Sequence, residues 1–276
     1  YFMDDKIQLT LGARQQRVKV RNFNATTGAQ TSVYDKERLT PAVGLVVKPF
    51  ANTSLYANYI EGLSQGPTAP ASASNAGTIF APIKSKQYEI GVKQDFGQFA
   101  ATVSAFQIEQ PNGYVDTATN TYGLNGEQRN RGVELNVFGE PWHGIRLLGG
   151  AAFTQGVLTK TAGGTYDGNK AVGVPTTQLN LGGEWDTPFL AGLTLTGRVI
   201  YTSSQYYNAS NAQSIPAWTR VDIGARYKTK VSGVPVTIRA GVENVFNKDY
   251  WASASSSFGL ARGASRIFLL STTMEF

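Results

Sequence analysis

The sequence predicts an all-β chain: a transmembrane antiparallel β-barrel of about twelve strands. Three observations carry that prediction. Two-residue alternation of apolar and polar side chains runs almost the whole length, and helical spacing is hard to find. Connections between the alternating segments switch regularly between short and long. Aromatic residues collect where the segments end, at Phe50, Phe96, Phe99, Phe138, Trp142, Trp185, Phe189, Tyr227 and Phe276.

The segments can be followed in order. Ile7–Ala13 opens the pattern, already strand-like close to Tyr1, so the chain is expected to be a piece of a longer protein. Tyr88–Lys93, Phe99–Phe106 and Gly132–Val137 repeat it. In Gln178–Trp185, Leu179, Leu181 and Trp185 oppose Gln178, Asn180 and Glu184, and Leu193–Tyr201 follows the same rule. Ala217–Tyr227 is the cleanest case, with Thr219, Val221, Ile223, Ala225 and Tyr227 on one face. Its other face carries Arg220, Asp222, Gly224 and Arg226. In Val236–Glu243, Val236, Ile238, Ala240 and Val242 oppose Thr237, Arg239, Gly241 and Glu243. The last segment, Ile267–Phe276, places Phe268, Leu270, Met274 and Phe276 on one face and ends on an aromatic. A terminal Phe on an alternating strand points to an outer-membrane assembly signal.

Strands of a soluble sandwich alternate too. Here the polar face carries whole charges and Gly, as a wet or protein-filled lumen requires. About 10 residues at ~3.3 Å each, tilted ~45°, rise roughly 24 Å, the height of an outer-membrane apolar band. The short links are Lys48–Asn52, Gln94–Gln98, Gly139–Gly144, Asp186–Gly192 and Lys230–Pro235. The long stretches are Asn22–Ser32, Leu63–Ile83, Pro111–Asn125, Thr159–Val174, Tyr207–Ile215 and Val245–Gly263. Short periplasmic turns and long external loops are the asymmetry of such barrels. Leu63–Ile83 reads as a polar loop, either a lid or plain disorder.

Composition removes most enzymatic readings. With no Cys, a thiol nucleophile, a disulfide scaffold and a Cys-type zinc site are excluded. One His, His143, leaves little for imidazole chemistry or a multi-His metal site. Gly62-Leu63-Ser64-Gln65-Gly66 fits G-x-S-x-G, but the elbow needs a strand-to-helix turn and no helical pattern follows Ser64. No metal or cofactor is expected, and the chain is expected not to be an enzyme. Asn24, Asn52 and Asn208 head glycosylation-type triplets that read as ordinary polar positions in a bacterial barrel. Lys and Arg exceed Asp and Glu for a net charge of +6, yet they are spread over separate segments. Nucleic acid is therefore not an expected partner; anionic lipopolysaccharide or an anionic chelate is.

Five strings carry a resemblance: KSKQYEIGVKQDFG (Lys84–Gly97), NRGVELNV (Asn130–Val137), VGVPTTQLNLGGEW (Val172–Trp185), VENVFNKDYW (Val242–Trp251) and RGASRIFLLSTTMEF (Arg262–Phe276). In order and spacing they resemble the C-terminal half of TonB-dependent siderophore receptors, particularly the ferric hydroxamate branch. The likeness runs from Asp4 to Phe276 and is densest over the last hundred residues. It implies a plugged barrel of about 22 strands. Residues 1–276 would be the C-terminal part of its barrel domain, without the plug, the TonB-contact segment and the first strands. The implied function of the parent is TonB-coupled import of a ferric siderophore across the bacterial outer membrane. An importer of cobalamin or oligosaccharide, or a passive porin, stays open beside it. Implied partners are the siderophore, the TonB complex through the missing N-terminal region, outer-membrane lipid and lipopolysaccharide, and the barrel assembly machinery.

Site candidates follow. Glu89 and Glu134 fall on the polar face by alternation, and they match the family's barrel glutamates that pair with plug arginines. In the external stretches, Tyr114, Tyr122, Tyr166, Tyr206, Tyr207 and Trp251 could stack on a chelate, with Arg129, Arg131 and Arg262 attracting its charge. The same aromatics, with Trp218, Tyr250 and Phe258, would equally form an upper girdle that anchors the barrel. Phe268, Leu270, Met274 and Phe276 make up the expected assembly signal.

Overall fold

A computed structural model describes residues 6–255 and 259–275. The strands are β1 (Ile7–Phe23), β2 (Gln30–Phe50), β3 (Thr53–Ser64), β4 (Ile83–Asp95), β5 (Phe99–Val115), β6 (Tyr122–Trp142), β7 (Ile145–Lys160), β8 (Thr177–Asp186) and β9 (Leu193–Thr202). They continue with β10 (Gln205–Tyr206), β11 (Ser214–Ile215), β12 (Trp218–Val231), β13 (Val234–Glu243), β14 (Trp251–Ser255), β15 (Gly259–Arg262) and β16 (Ile267–Met274). Twelve of them form one sheet in the order β1 to β9, then β12, β13 and β16. β10–β11 and β14–β15 are small hairpins inside long connections. The sequence-derived fold class and strand number hold.

Several strands outrun their expected length. β2 and β6 each have 21 residues, so the first and third long connections shrink to residues 24–29 and 116–121. The ladder persists because polar cross-strand pairs hold it beyond the apolar band. Arg17 stands opposite Glu37 and Lys19 opposite Asp35. The ends then close by side-chain turns. Asn24 Oδ1 accepts from the Thr26 and Thr27 amides, both at 2.9 Å, and Asp116 Oδ1 accepts from Ala118 N at 2.8 Å. At the opposite end, Ser232 and Gly233 both take positive φ, the geometry of a two-residue hairpin.

The chain divides into two compact units. The first comprises residues 1–91, 105–131 and 156–171. Its apolar face sets Ile7, Leu9 and Leu11 against Val47, Leu45 and Val43, which in turn face Leu55, Ala57 and Tyr59. Its polar face carries Tyr34, Arg38 and Tyr56, which alternate with those residues along the strands.

The second unit comprises residues 92–104, 132–155 and 172–276. Its apolar face pairs Leu181 with Val199, Val199 with Val221, Ile223 with Val242, and Val242 with Phe268. Leu181, Val199, Ile223 and Phe268 are exposed, as are Leu270 at 78% and Ile238 at 38% on the same face, as a lipid-facing surface demands. Phe96 stacks on Phe99 at 4.6 Å, and Trp185 meets Phe189 edge-on at 6.2 Å, beside short turns as expected of a girdle. Phe268, Leu270 and Met274 share the exposed face, opposite Val242, Ala240 and Val236. Phe276 and Phe258 lie outside the described residues.

Candidate functional site

In the first unit the polar face is built around Glu89. Tyr56 Oη donates to Glu89 Oε1 at 2.8 Å and Gln87 Nε2 donates to Oε2 at 3.0 Å. A Cβ at Gly91 would overlap the Tyr56 ring, so the bare glycine is what lets the tyrosine lie across β4 toward Glu89. Both donors are neutral; among the described residues no ion pair involves Glu89.

Over the same face runs the long connection 65–82, and it is tied rather than loose. Gly66 N donates to Tyr34 Oη at 3.0 Å, and Arg38 Nη1 donates to the Pro82 carbonyl at 2.6 Å. Asn75 clasps Tyr122 twice: its Nδ2 donates to the Tyr122 carbonyl and its Oδ1 accepts from the Tyr122 amide, both at 2.9 Å. Phe80 packs edge-on against the Tyr122 ring at 5.5 Å. Tyr122 is therefore a strut of the loop's attachment. Ser64 ends β3 and its chain enters this connection, with no helix there.

The remaining first-unit candidates separate. Tyr114 stands near the end of β5 and Tyr122 opens β6, so both lie on strands where loop was expected. Tyr166 does sit in a loop, one stitched internally by Asp167 Oδ1, which accepts from the Thr161 amide at 2.7 Å. Arg129 and Arg131 also stand on β6 rather than in a loop. Alternation along that strand places them with Glu127, whose carboxylate accepts from Thr159 Oγ1 at 2.7 Å, and with Val133 and Leu135, which are exposed on the apolar side. They do not share a face with Glu134.

The second unit carries on its polar face a groove of about 1350 Å³. Its charges are organised across strands. Arg146 donates to Glu184 at 3.0 Å and, two-pronged, to Asp186 at 2.6 and 2.7 Å. Arg226 meets Glu184 at 2.8 Å, so one carboxylate joins two guanidinium groups. Arg220 pairs with Asp222 through two 2.8 Å bonds and reaches Glu243 at 3.0 Å. These pairings exist because β7, β8, β9, β12 and β13 bring Arg, Glu and Asp to one face in register. The lining is not wholly polar: Leu148, Ile200 and Leu269 interrupt it.

Glu134 lines this groove, and among the described residues it makes no hydrogen bond or ion pair. Lys93 Nζ sits over the Phe138 ring at 5.6 Å. Alternation put both glutamates on the polar face, and the structure agrees.

The long connections of this unit interlock. Gly173 N donates to the Tyr206 carbonyl at 2.9 Å, and at φ +72 its missing Cβ makes room for the Ala254 carbonyl. Trp218 and Tyr250 rings lie 4.4 Å apart. Trp251 and Arg262 are cross-strand partners on the β14–β15 hairpin, and Arg262 also holds Asp249 at 2.6 Å. Tyr206 lies in β10 with its carbonyl engaged, while Tyr207 stays partly exposed beside it and bonds Gln213 through its backbone at 2.9 Å. Of the nine ligand candidates, Trp251 pairs with Arg262 across a hairpin, Tyr206 and Tyr207 adjoin in the chain, and Arg129 and Arg131 share a face of β6.

One organising residue escaped the sequence reading. Asn244, 2% exposed, donates through Nδ2 to the Lys248 carbonyl at 2.9 Å and the Ala264 carbonyl at 3.0 Å. Its Oδ1 accepts from Lys248 N at 2.9 Å, and its own amide donates to Asp222 Oδ1 at 2.8 Å. It ties both ends of connection 244–266 to the sheet. The available signal was an Asn directly after a strand, where positive φ is tolerated.

Comparison with known proteins adds independent findings. Residues 1–245 match the family described as TonB dependent receptor-like, beta-barrel. The chain is 46% identical over 280 residues to the ferrichrome receptor FcuA of Yersinia enterocolitica, covering 99% of this chain and 37% of that protein. It is 28% identical over 280 residues to the ferrichrome outer membrane transporter/phage receptor of Escherichia coli, covering 99% of this chain and 36% of that protein. Among solved structures, BauA, the ferric preacinetobactin receptor of Acinetobacter baumannii, superposes with a TM-score of 0.84 at 47% identity. That alignment covers 100% of this chain and 41% of BauA. The chain therefore spans roughly two-fifths of the length of these relatives.

Proposed function

This chain belongs to the TonB-dependent receptor β-barrel family, and from that premise we propose that its parent imports a ferric siderophore across the bacterial outer membrane by energy-coupled transport. Residues 1–276 supply the C-terminal part of the barrel domain; the plug, the TonB-contact segment and the first strands belong to the rest of the parent. The protein binds and translocates without making or breaking covalent bonds. The observation that carries this reading is the groove wall: ion-paired arginines, apolar patches and a carboxylate, Glu134, with no cation of its own. A folded plug that brings an arginine to Glu134 would complete that wall.

Glu89 and Glu134 are the wall's half of a latch to plug arginines. A carboxylate in a protein-filled lumen is costly without a cation, and an Arg fork satisfies both oxygens. Tyr56 and Gln87 leave Glu89 correctly aimed but not neutralised. In the full-length receptor, Glu89→Ala with Glu134→Ala is expected to shift plug unfolding to lower denaturant while barrel melting stays put. Loss of barrel stability alone would make these residues wall braces instead.

Trp251, Arg262, Tyr206 and Tyr207 are the part of the ligand funnel that this chain contributes. A panel of iron chelates tested for binding to the full-length receptor decides the substrate class. Binding of hydroxamate-type ferric chelates is expected, and affinity only for cobalamin or oligosaccharide would overturn the assignment.

A further inference from the structure

The polar face of the first unit changes character toward the long connections. In register, Gln8, Val46 and Tyr56 form one row of that face, bonded to Glu89 through Tyr56 Oη. Further along β1 and β2, Arg14 stands opposite Thr40, then Gln16 opposite Arg38, then Val18 opposite Lys36. Successive same-face residues rise about 6.8 Å along a strand, so the Arg14 row lies about 20 Å from the Tyr56 row. Arg14 and Lys36 are exposed. Arg38 is half-buried, with Nη1 donating to the Pro82 carbonyl at 2.6 Å.

No acid balances these cations on that face. β1 contains neither Asp nor Glu, and the acids of β2 and β3, Asp35, Glu37 and Glu61, fall on the opposite face by alternation. There Asp35 is met by Lys19 at 3.4 Å and Glu61 by Lys84 at 2.7 Å. Connection 65–82, tied to Tyr34 and Arg38 on either side of Lys36, has no charged residue. Among the described residues, neither Arg14 nor Lys36 has a carboxylate partner.

We propose that Arg14, Lys36 and Arg38 receive a negatively charged group of the imported chelate, a carboxylate carried beside its iron-binding hydroxamates. The inference rests on the transport reading and names the substrate class: an anionic ferric chelate rather than a neutral or cationic one. An Arg fork takes both oxygens of a carboxylate, and a Lys on the same face adds a compact charge. Exposure lets a dissolved anion reach Arg14 and Lys36, and an uncompensated cluster of one sign raises the local concentration of such an anion before it docks. The distance from the Tyr56 row separates this patch from Glu89, which needs a cation. The two ends of the polar face thus have opposite requirements.

The test uses the full-length receptor in nanodiscs and two ferric trihydroxamate chelates that differ only in a pendant group, a carboxylate in one and its primary amide in the other. Affinities are read by quenching of intrinsic fluorescence. The wild type is expected to prefer the carboxylate form about tenfold in low salt, with the preference shrinking as salt screens it. Arg14→Gln and Lys36→Gln are each expected to cut the ratio of the two affinities about threefold. Lys19→Gln, on the opposite face, is expected to leave the ratio unchanged. Arg38 is left in place because it also holds connection 65–82. Equal affinity for both forms in the wild type would overturn the proposal without any variant having to fold. So would an unchanged ratio in an Arg14→Gln/Lys36→Gln receptor that still binds the amide form. An equal loss of both affinities in that receptor would overturn it too, because the cations would then meet acidic residues of the plug. A receptor that imports both forms alike refutes the patch and leaves the transport reading intact; one that binds neither form fails that reading as well.

Discussion

Ile238→Arg is expected to destabilise the barrel by about 2–4 kcal/mol in lipid, the cost of a guanidinium at mid-bilayer on a lipid-facing position. Ile238 sits at the centre of β13, opposite Tyr227 on one side and Thr272 on the other, with its side chain on the exposed apolar face. No charged residue shares that face within its cross-strand neighbours. Thr237, one residue away, points to the other face, opposite Lys228 and Thr273. Thr237→Glu is therefore expected to cost far less, because the new carboxylate meets a polar surface and a nearby ammonium. Folding titrations of the full-length receptor into lipid vesicles separate the two. Reversed tolerance would overturn the face assignment, and with it every statement about which residues see lipid and which see the interior.

The second large effect is expected at Asn244. Replacing it with Ala removes the bonds to the Lys248 amide and to the carbonyls of Lys248 and Ala264, at about 0.5–1.5 kcal/mol each, because Lys248 and Ala264 are exposed and water can take over. It also leaves a Cβ-bearing residue at positive φ without the local bonding that offsets it, about 1–2 kcal/mol more. The loss falls on connection 244–266, since the strands on either side keep their ladders. Hydrogen exchange is expected to show faster exchange at Lys248 and in the β14–β15 hairpin, with β12 and β13 unaltered. Asn244→Gly removes the side-chain bonds but relieves the backbone, so it should fall between wild type and Ala. Unchanged protection in Asn244→Ala would mean the connection is held elsewhere. Because Trp251 and Arg262 ride on this connection, chelate affinity is expected to fall alongside protection.

The periodic parts of the structure were legible in the sequence, because alternation is a local property of each strand. It fixed the faces of Val221, Ile223, Ile238, Phe268 and Leu270, and it put Glu89 and Glu134 on the polar side. The order of short and long connections was legible for the same reason. Connection lengths were not. Ile7–Ala13 marks only the apolar part of the first strand; the charged stretch Arg17–Arg21 continues it because the partner strand supplies Asp35 and Glu37. Connection 65–82 reads as loose because its anchors, Tyr34, Arg38 and Tyr122, are distant in sequence. Arg129 and Arg131 were misplaced for a simpler physical reason: basic residues near a loop suggested a ligand, although the strand's own period assigns them to the lipid side. The shared carboxylate of Glu184 between Arg146 and Arg226 depends on three-strand register, which no single segment encodes.

The import of a ferric siderophore proposed for the parent receptor depends on energy coupling. The most direct measurement is uptake of radiolabelled iron, presented as a ferric hydroxamate chelate, by cells whose only receptor for it is the full-length parent. Uptake is expected to saturate at low chelate concentration and to stop when the TonB system is deleted or the proton gradient is collapsed. Iron entry that is unsaturable and indifferent to TonB would contradict the account, because it would make the barrel a passive pore.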